Sequence, residues 1–534
     1  MSAKPFYVTT PIYYPSGNPH IGHCYSTVLC DYLARYNRFK GRPVIFATGT
    51  DEHGAKLAAA AEKAGVDTLE YIDGFVGNFK KLWTYMNISY DRFVRTTDDY
   101  HIKTVQYIFT VLHDKGYIYK GEYQGKYCVP CESFWTDAQL TKKDDKYYCP
   151  DCGREVTENR SEEAYFLKMS PFAADIEKML LESGYLRPEN RAKELVNNFI
   201  KTGLDDLCVS RTSVKWGIPV PKFEDTSAEH TVYVWLDALT NYISLLGYGN
   251  DTFGDFDTFW NNAEVLHVTG KEIMRFHTII WYAILKGAGV RFPDKLYSHG
   301  WIISSDGDKM SKSKGNVLDP FILGGRYGVD AVRYQMLRDM PYASDMPYSN
   351  ENMLNRINAD LANSYGNLVS RTASMIEKYF GGVIPNYIAS AETEYGRDLR
   401  AKAVALKATV DGLLDYPKVG DALSAVFDVI SRANKYIDET APWVLAKDET
   451  KLPELGNVLR NLAEAIRIAT LFLAPAIPDT APKVYDIFGL TGNALSYEYA
   501  DVFDTIPGNT KVKTTAPLFP RLDVAKEIAY LQET

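Results

Sequence analysis

Phe6-Tyr-Val-Thr-Thr-Pro-Ile-Tyr-Tyr-Pro-Ser-Gly-Asn-Pro-His20-Ile-Gly-His23 decides how the rest of the chain is read. Phe6 to Thr9 reads as a strand, Pro11 to Asn18 as a turn, and a long helical pattern opens at Pro19-His20 and continues to Lys40. A helix that begins just after a parallel strand points its free backbone N–H groups, and the positive end of its dipole, at whatever lies above the sheet. An anion suits that place. His20 and His23 can donate hydrogen bonds there, and Gly22, with no side chain, lets a flat ring or a ribose approach the backbone. Two histidines at this spacing equally suit packed helix positions or a metal pair, so a second, distant motif has to decide.

Working outward, Pro43-Val-Ile-Phe-Ala-Thr-Gly49 has the continuous apolar run of a buried strand, and Thr50-Asp51-Glu52-His53-Gly54 leads into an Ala-rich helical stretch ending near Gly65. Strand, helix, strand, helix with short connections predicts a parallel α/β sheet with ligands at the carboxyl ends of its strands. Gly49 to Lys56 nearly matches a phosphate-binding P-loop, but Ala55 stands at the lysine position, and no G-x-G-x-x-G follows the first strand. Both absences argue against a P-loop ATPase and a dinucleotide oxidoreductase.

At 534 residues the chain predicts two to four domains. Its net charge of −9 excludes a surface coated in positive charge, while leaving room for a local basic groove. Met-Ser-Ala-Lys-Pro enters a strand at once without a signal or transit pattern. The longest apolar run, about Ile468 to Ile477, is far short of the ~20 residues a membrane span needs. A cytoplasmic protein without membrane contact is expected.

From about Tyr117 the α/β alternation stops. Cys128-Val-Pro-Cys131 and Cys149-Pro-Asp-Cys152, with residues 132–148 between them, have the spacing of a zinc ribbon, and four thiolates would close the metal's coordination shell, so the ion is structural. The α/β pattern returns at His230 to Tyr242 and at Val265 to Glu272, followed by a helix with Ile273, His277, Ile280 and Ile284 on one face. The Cys-bearing segment is therefore inserted into a sheet that closes after it. Tyr297 to Ile303 then reads as a strand before a polar, glycine-flanked loop containing Lys309-Met310-Ser311-Lys312-Ser313. From Asn350 the strands give way to helical periods, such as Leu361, Tyr365, Leu368, Thr372 and Ile376, or Leu455, Val458, Leu462 and Ile466, with a looser tail after Tyr499.

His20-Ile-Gly-His23, Lys309-Met-Ser-Lys-Ser313 about 290 residues later, the sheet between them and the helical end together resemble the class I aminoacyl-tRNA synthetases, and in finer detail the methionyl-tRNA synthetase family across essentially the whole chain. The resemblance implies a Rossmann-like catalytic domain in two halves (1–116 and 223–295), split by a connective insertion (117–222, zinc ribbon about 126–158). A linking segment with the lysine loop (296–349) and an α-helical anticodon-binding domain (350–534) would complete it. The reaction implied is activation of L-methionine by Mg-ATP to methionyl adenylate and pyrophosphate, then transfer to the terminal adenosine of methionine tRNA, the initiator included.

Activation needs no general base, because the attacking carboxylate is already ionised; it needs in-line alignment and positive charge around the phosphates. By the resemblance His20 and His23 hold the phosphates, Lys309 and Lys312 close over them, and Gly22, Gly270 and Glu272 complete the ATP site. Asp51 pairs with the substrate ammonium, and Ile12, Tyr14, Trp235, Ala238, Tyr242, Ile273 and His277 line the methionine pocket, with Tyr14 or His277 as weak donors to the thioether. Leu239 sits where some members have proline. Cys128, Cys131, Cys149 and Cys152 hold one Zn²⁺. Asn367, Arg371 and Trp443 read the anticodon. A monomer is expected, whose tRNA affinity rests on this bundle. Two other readings remain: a class I synthetase for cysteine, isoleucine, leucine or valine, for the last three of which the insertion is short for an editing domain, and a zinc-ribbon RNA-binding protein with an inactive nucleotide fold, which would carry damaged motifs.

Overall fold

Alternation decides where the first strand sits: Phe6 and Val8 turn to one face and Tyr7 to the other, and both faces are apolar. The computed structural model describes residues 3–131, 133–135, 140–150, 152–226, 228–303, 319–514 and 516–533. Strands β1 (Phe6–Thr9), β2 (Val44–Thr50), β3 (Arg92–Arg95), β4 (Leu186–Arg187), β5 (Glu264–Gly270) and β6 (Lys295–His299) form one sheet in the order β3-β2-β1-β5-β6-β4. Every pairing is parallel, with Val8 opposite Phe46 on one side and Leu266 on the other.

The chain leaves β1 toward β2 and β3, and comes back on the opposite side of β1 as β5. The carboxyl ends of β1, β2 and β5 therefore surround a topological switch point, where such sheets bind ligands. Helix α1 (Ile21–Phe39) covers the Phe6, Val8 and Phe46 face. Helix α2 (Val234–Ser244) covers the Tyr7, Ile45 and Val265 face.

The strands Ile118–Cys128, Ser133–Trp135, Glu158–Leu167 and Leu207–Cys208 build a separate antiparallel sheet. Within the same stretch, Leu186–Arg187 leaves that sheet and pairs with β6 as the edge strand of the main one. Two residues carry too short a pattern to be read as a strand from sequence.

After α3 (Val329–Arg338) the chain is helical: α4 (Asn367–Phe380), α5 (Glu394–Leu414), α6 (Val419–Thr440) and α7 (Leu452–Leu473). Helix α7 is the axis of this bundle, buried from Leu455 to Leu473. Its interior arginines are satisfied by the segment that follows: Arg460 donates to the carbonyl of Ile506 at 2.7 Å and Arg467 to that of Val502 at 2.5 Å. Arg326 holds Glu527 of the final helix, Val524–Glu533, through two bonds of 2.8 Å. The end of the chain is thus tied down, contrary to the loose tail its composition suggests, because its partners are polar groups hundreds of residues upstream or buried inside α7. Among the described residues no helix is long and apolar enough to cross a membrane.

Candidate active site

Helix α1 is capped by its own histidines. His20 is the N-cap, its Nδ1 accepting from the Gly22 amide at 3.1 Å, and His23 Nδ1 accepts from the His20 amide at 3.0 Å. A neutral imidazole whose Nδ1 accepts carries its proton on Nε2, so Nε2–H is the donor of each ring. The rings lie 4.1 Å apart at the positive end of the helix. A Cβ on Gly22 would come within 3.0 Å of the His20 ring, so glycine at this position is what lets the cap form. Ser26, one turn further on, meets His299 Nε2 at 2.7 Å and ties α1 to the end of β6.

Beside it, the turn after β1 is pinned across the end of β2: the Tyr13 backbone amide donates to the Gly49 carbonyl at 2.9 Å and the Asp51 backbone amide to the Tyr13 carbonyl at 3.0 Å. Gly49 is required, since a Cβ there would stand 2.1 Å from the Val94 carbonyl oxygen of β3. Between this turn and α2 lies a cavity of about 320 Å³. Ile12, Tyr14, Asp51, Trp235, Ala238, Tyr242, Ile273 and His277, scattered over more than 260 positions, all line it, together with Lys56, Pro130, Val234, Leu239 and Asn241.

The proton positions in its wall are determined. His277 Nδ1 lies 3.0 Å from the Ile273 carbonyl, which can only accept, so Nδ1 carries the hydrogen and Nε2 takes the Tyr242 hydroxyl proton at 2.7 Å. Burial pushes His277 down to about 4, so the ring is neutral near pH 7. In this tautomer the neutral His277 ring has no proton for a thioether, which leaves Tyr14 of the two donors considered from sequence. Trp235 stacks on Phe276 at 3.7 Å with 8° between planes, making the cavity's flat apolar wall.

Behind the cavity stands a group that the sequence reading missed. The Asp237 carboxylate bridges two imidazoles, with Oδ2 at 2.6 Å from His53 Nδ1 and Oδ1 at 2.8 Å from His101 Nε2. Burial acts to raise the Asp237 carboxyl, but the two histidines outweigh it and hold it below the usual range. The bridge joins the loop presenting Asp51 to the helix presenting Trp235, Ala238 and Tyr242. A carboxylate between Leu236 and Ala238, as the one charged residue of its helix, was the available signal.

The family model described as "tRNA synthetases class I (M)" matches residues 6–373, and that described as "Anticodon binding domain of methionyl tRNA ligase" matches residues 385–533. The chain is 48% identical to the methionine–tRNA ligase of Clostridium tetani over 532 residues, 99% of this chain and 80% of that protein. It is 50% identical to that of Caldanaerobacter subterraneus over 531 residues, 99% and 81%. The crystal structure of Mycobacterium tuberculosis methionyl-tRNA synthetase bound by methionyl-adenylate superposes with a TM-score of 0.90 at 37% identity, covering 97% of this chain and all of that one. The chain belongs to the methionyl-tRNA synthetase family.

In this methionyl-tRNA synthetase fold, Gly270 closes β5 next to β1. A Cβ on Gly270 would stand 2.5 Å from Glu272 Oε2, so the glycine lets that carboxylate fold back over the strand end, where it accepts from Trp301 Nε1 at 2.7 Å. Lys309 and Lys312 lie outside the described residues. The described flanks of their segment are Ile302–Ile303, paired with Met346–Pro347, and Asp319, whose side chain caps Pro320–Tyr327.

The sulfur atoms of Cys128, Cys149 and Cys152 lie within 4.8 Å of one another, with Cys128 and Cys152 at 3.7 Å. Bonds of ~2.3 Å to a tetrahedral ion place sulfurs ~3.8 Å apart, so the donor set fits a thiolate-bound metal. Gly153, at φ +69°, makes the turn that returns its amide to the Cys149 carbonyl at 2.8 Å. The Cys131 side chain lies outside the described residues.

In the bundle, Asn367 and Arg371 occupy the first turns of α4, Asn367 exposed and Arg371 half-buried. Asn434 on α6 donates to the Ser364 carbonyl, three residues before α4, at 3.2 Å, and α6 itself runs on to Thr440. There the chain turns at Ala441, φ +42°, and Pro442 starts the short helix Pro442–Leu445, which presents Trp443 at 45% exposure. A large ring held in solvent at a helix break is an available stacking surface.

Proposed function

We propose that the chain activates L-methionine with ATP, releasing pyrophosphate, and passes the methionyl group to the terminal adenosine of methionine tRNA, the initiator included. The observation that carries this reading is the single cavity joining eight expected side chains from 12 to 277, set beside the imidazole-capped start of α1. The apolar cavity takes the thioether, Trp235 and Ile273 form its walls, and the Asp51 carboxylate pairs with the α-ammonium. The substrate carboxylate is then free to attack the α-phosphate without a base.

His20 and His23 donate from Nε2 to the phosphates as charge gathers on the leaving pyrophosphate, and Gly22, Gly270 and Glu272 seat the nucleoside. Lys309 and Lys312 complete the grip from their loop, each such donor contributing ~3 kcal/mol to the transition state. ATP would bring its own Mg²⁺, which would supply further positive charge at the phosphates. One Zn²⁺ on Cys128, Cys131, Cys149 and Cys152 holds the ribbon. Asn367, Arg371 and Trp443 read the anticodon, by base-edge hydrogen bonds and stacking. The domain limits are 1–116 and 223–295 for the catalytic halves, 117–222 for the insertion, 296–349 for the link and 350–534 for the bundle. The enzyme works as a cytoplasmic monomer.

ATP–pyrophosphate exchange with each of the twenty amino acids tests the reading. Exchange with methionine alone is expected; exchange with cysteine, isoleucine, leucine or valine in its place, or with none, overturns it.

A further inference from the structure

One fully buried guanidinium joins the nucleotide helix to the bundle. Arg333 on α3 places Nη2 at 2.6 Å from Asp31 Oδ2 and 3.0 Å from the Pro475 carbonyl, Nη1 at 3.0 Å from the Met86 carbonyl, and Nε at 3.4 Å from that of Ala476. Asp31 lies on α1, and its other oxygen accepts from the Ser89 amide at 2.7 Å and hydroxyl at 2.6 Å, while Arg35 takes Oδ2 at 2.7 Å. Neither Arg333 nor Asp31 is exposed at all. Apolar side chains of like volume would hold a core as well as a buried ion pair does. What the pair adds is direction, because the planar guanidinium admits its acceptors only along fixed lines.

The partners lie at the ends of two long elements. Pro475 and Ala476 follow the last turn of α7, whose 22 residues extend ~33 Å back to Leu452, close in sequence to Trp443. Asp31 is two turns, ~12 Å, along α1 from His23. Asp330, on the same helix as Arg333, accepts from the Thr480 amide at 2.7 Å and fastens the bundle a second time. At the far end of α1, Tyr36 and Lys40 bind Asp411 of α5 at 2.6 and 2.8 Å.

We propose that Arg333 is a positioning residue through which the anticodon end of the bundle sets the axial position of α1, and with it His20 and His23. The inference rests on the function proposed above. Removing the guanidinium leaves Asp31 held by Arg35 and Ser89, so α1 loses its buried tie to the end of α7, while the residues that line the methionine cavity all lie on other elements.

The test uses the full chain with R333Q, R333K and D31N. Active sites are counted by the pyrophosphate burst, followed by methionine-dependent exchange and by charging of methionine tRNA with its native and with a substituted anticodon. In R333Q and D31N, kcat per titrated site falls about tenfold or more, as displacements of ~1 Å do, while KM for methionine stays within about twofold. The ratio of charging rates between the two tRNAs shrinks by about tenfold. R333K, which reaches Asp31 but not both sets of carbonyls, recovers part of each loss. Unchanged kcat per titrated site, or an unchanged anticodon ratio, in a folded R333Q or D31N overturns the proposal even if the melting temperature drops. Should R333Q fail to fold, the isosteric D31N decides by the same two readings. A wild-type protein that does not exchange with methionine would instead refute the underlying function.

Discussion

Tyr242→Phe separates two roles for one hydroxyl. In the structure its proton goes to His277 Nε2 at 2.7 Å, because His277 Nδ1–H is already committed to the Ile273 carbonyl. Both rings are buried, so no water replaces the lost bond, and a bare acceptor in such a place costs ~1–3 kcal/mol. The loss falls equally on the free and the methionine-bound enzyme. It therefore lowers the stability of the catalytic domain, by a few degrees in its first melting transition, and moves methionine KM in pyrophosphate exchange by less than about threefold. If the hydroxyl instead donated to the thioether, the same ~1–3 kcal/mol would appear as a rise of about 5- to 150-fold in KM with the melting transition in place. That second pattern would refute the proton assignment in the cavity wall.

On the proposed pairing of Asp51 with the substrate ammonium, Asp51→Asn raises methionine KM in exchange by about 10- to 100-fold while ATP KM holds. Trp443→Ala lowers kcat/KM for tRNA charging by about 10- to 100-fold through loss of ~1–3 kcal/mol of base stacking, with tRNA-independent exchange as the internal reference. On the proposed zinc ribbon, wild-type protein carries one zinc per chain by metal analysis, and Cys128→Ser takes that toward none and exposes residues 126–158 to limited proteolysis. His277, neutral in the fold and lowered from 6.5 to about 4, stabilises the protein fully above pH 6.5 and progressively less as pH falls toward 4. His277→Asn should flatten that part of the stability profile, read by denaturant unfolding at a series of pH values.

The elements that sequence reading brought forward were those whose signals are local, while the cavity residues from Ile12 to His277 came from the family resemblance. The apolar runs at 6–9 and 44–50 are strands because both faces of a parallel sheet are covered, and the three-and-four spacing of α7 is helical wherever it packs. The histidine cap of α1 is likewise settled within a few residues of chain. Spacing could not reveal where the Tyr242 hydroxyl proton goes, since that is decided by a contact with His277, 35 positions away. Nor could it show that Asp237 would sit between His53 and His101, that two residues at 186–187 would become a sheet edge, or that the chain's end would be bound by α7 and Arg326.

By itself, then, the sequence determined the elements, their order and the chemistry available at each motif. Only the tertiary structure decided how groups such as Asp31 and Arg333, 302 positions apart, share one buried contact. The physical reason is that periodicity and capping depend on neighbours along the chain, whereas a buried charge or polar group is satisfied by whichever distant partner the sheet and bundle bring within about 3 Å.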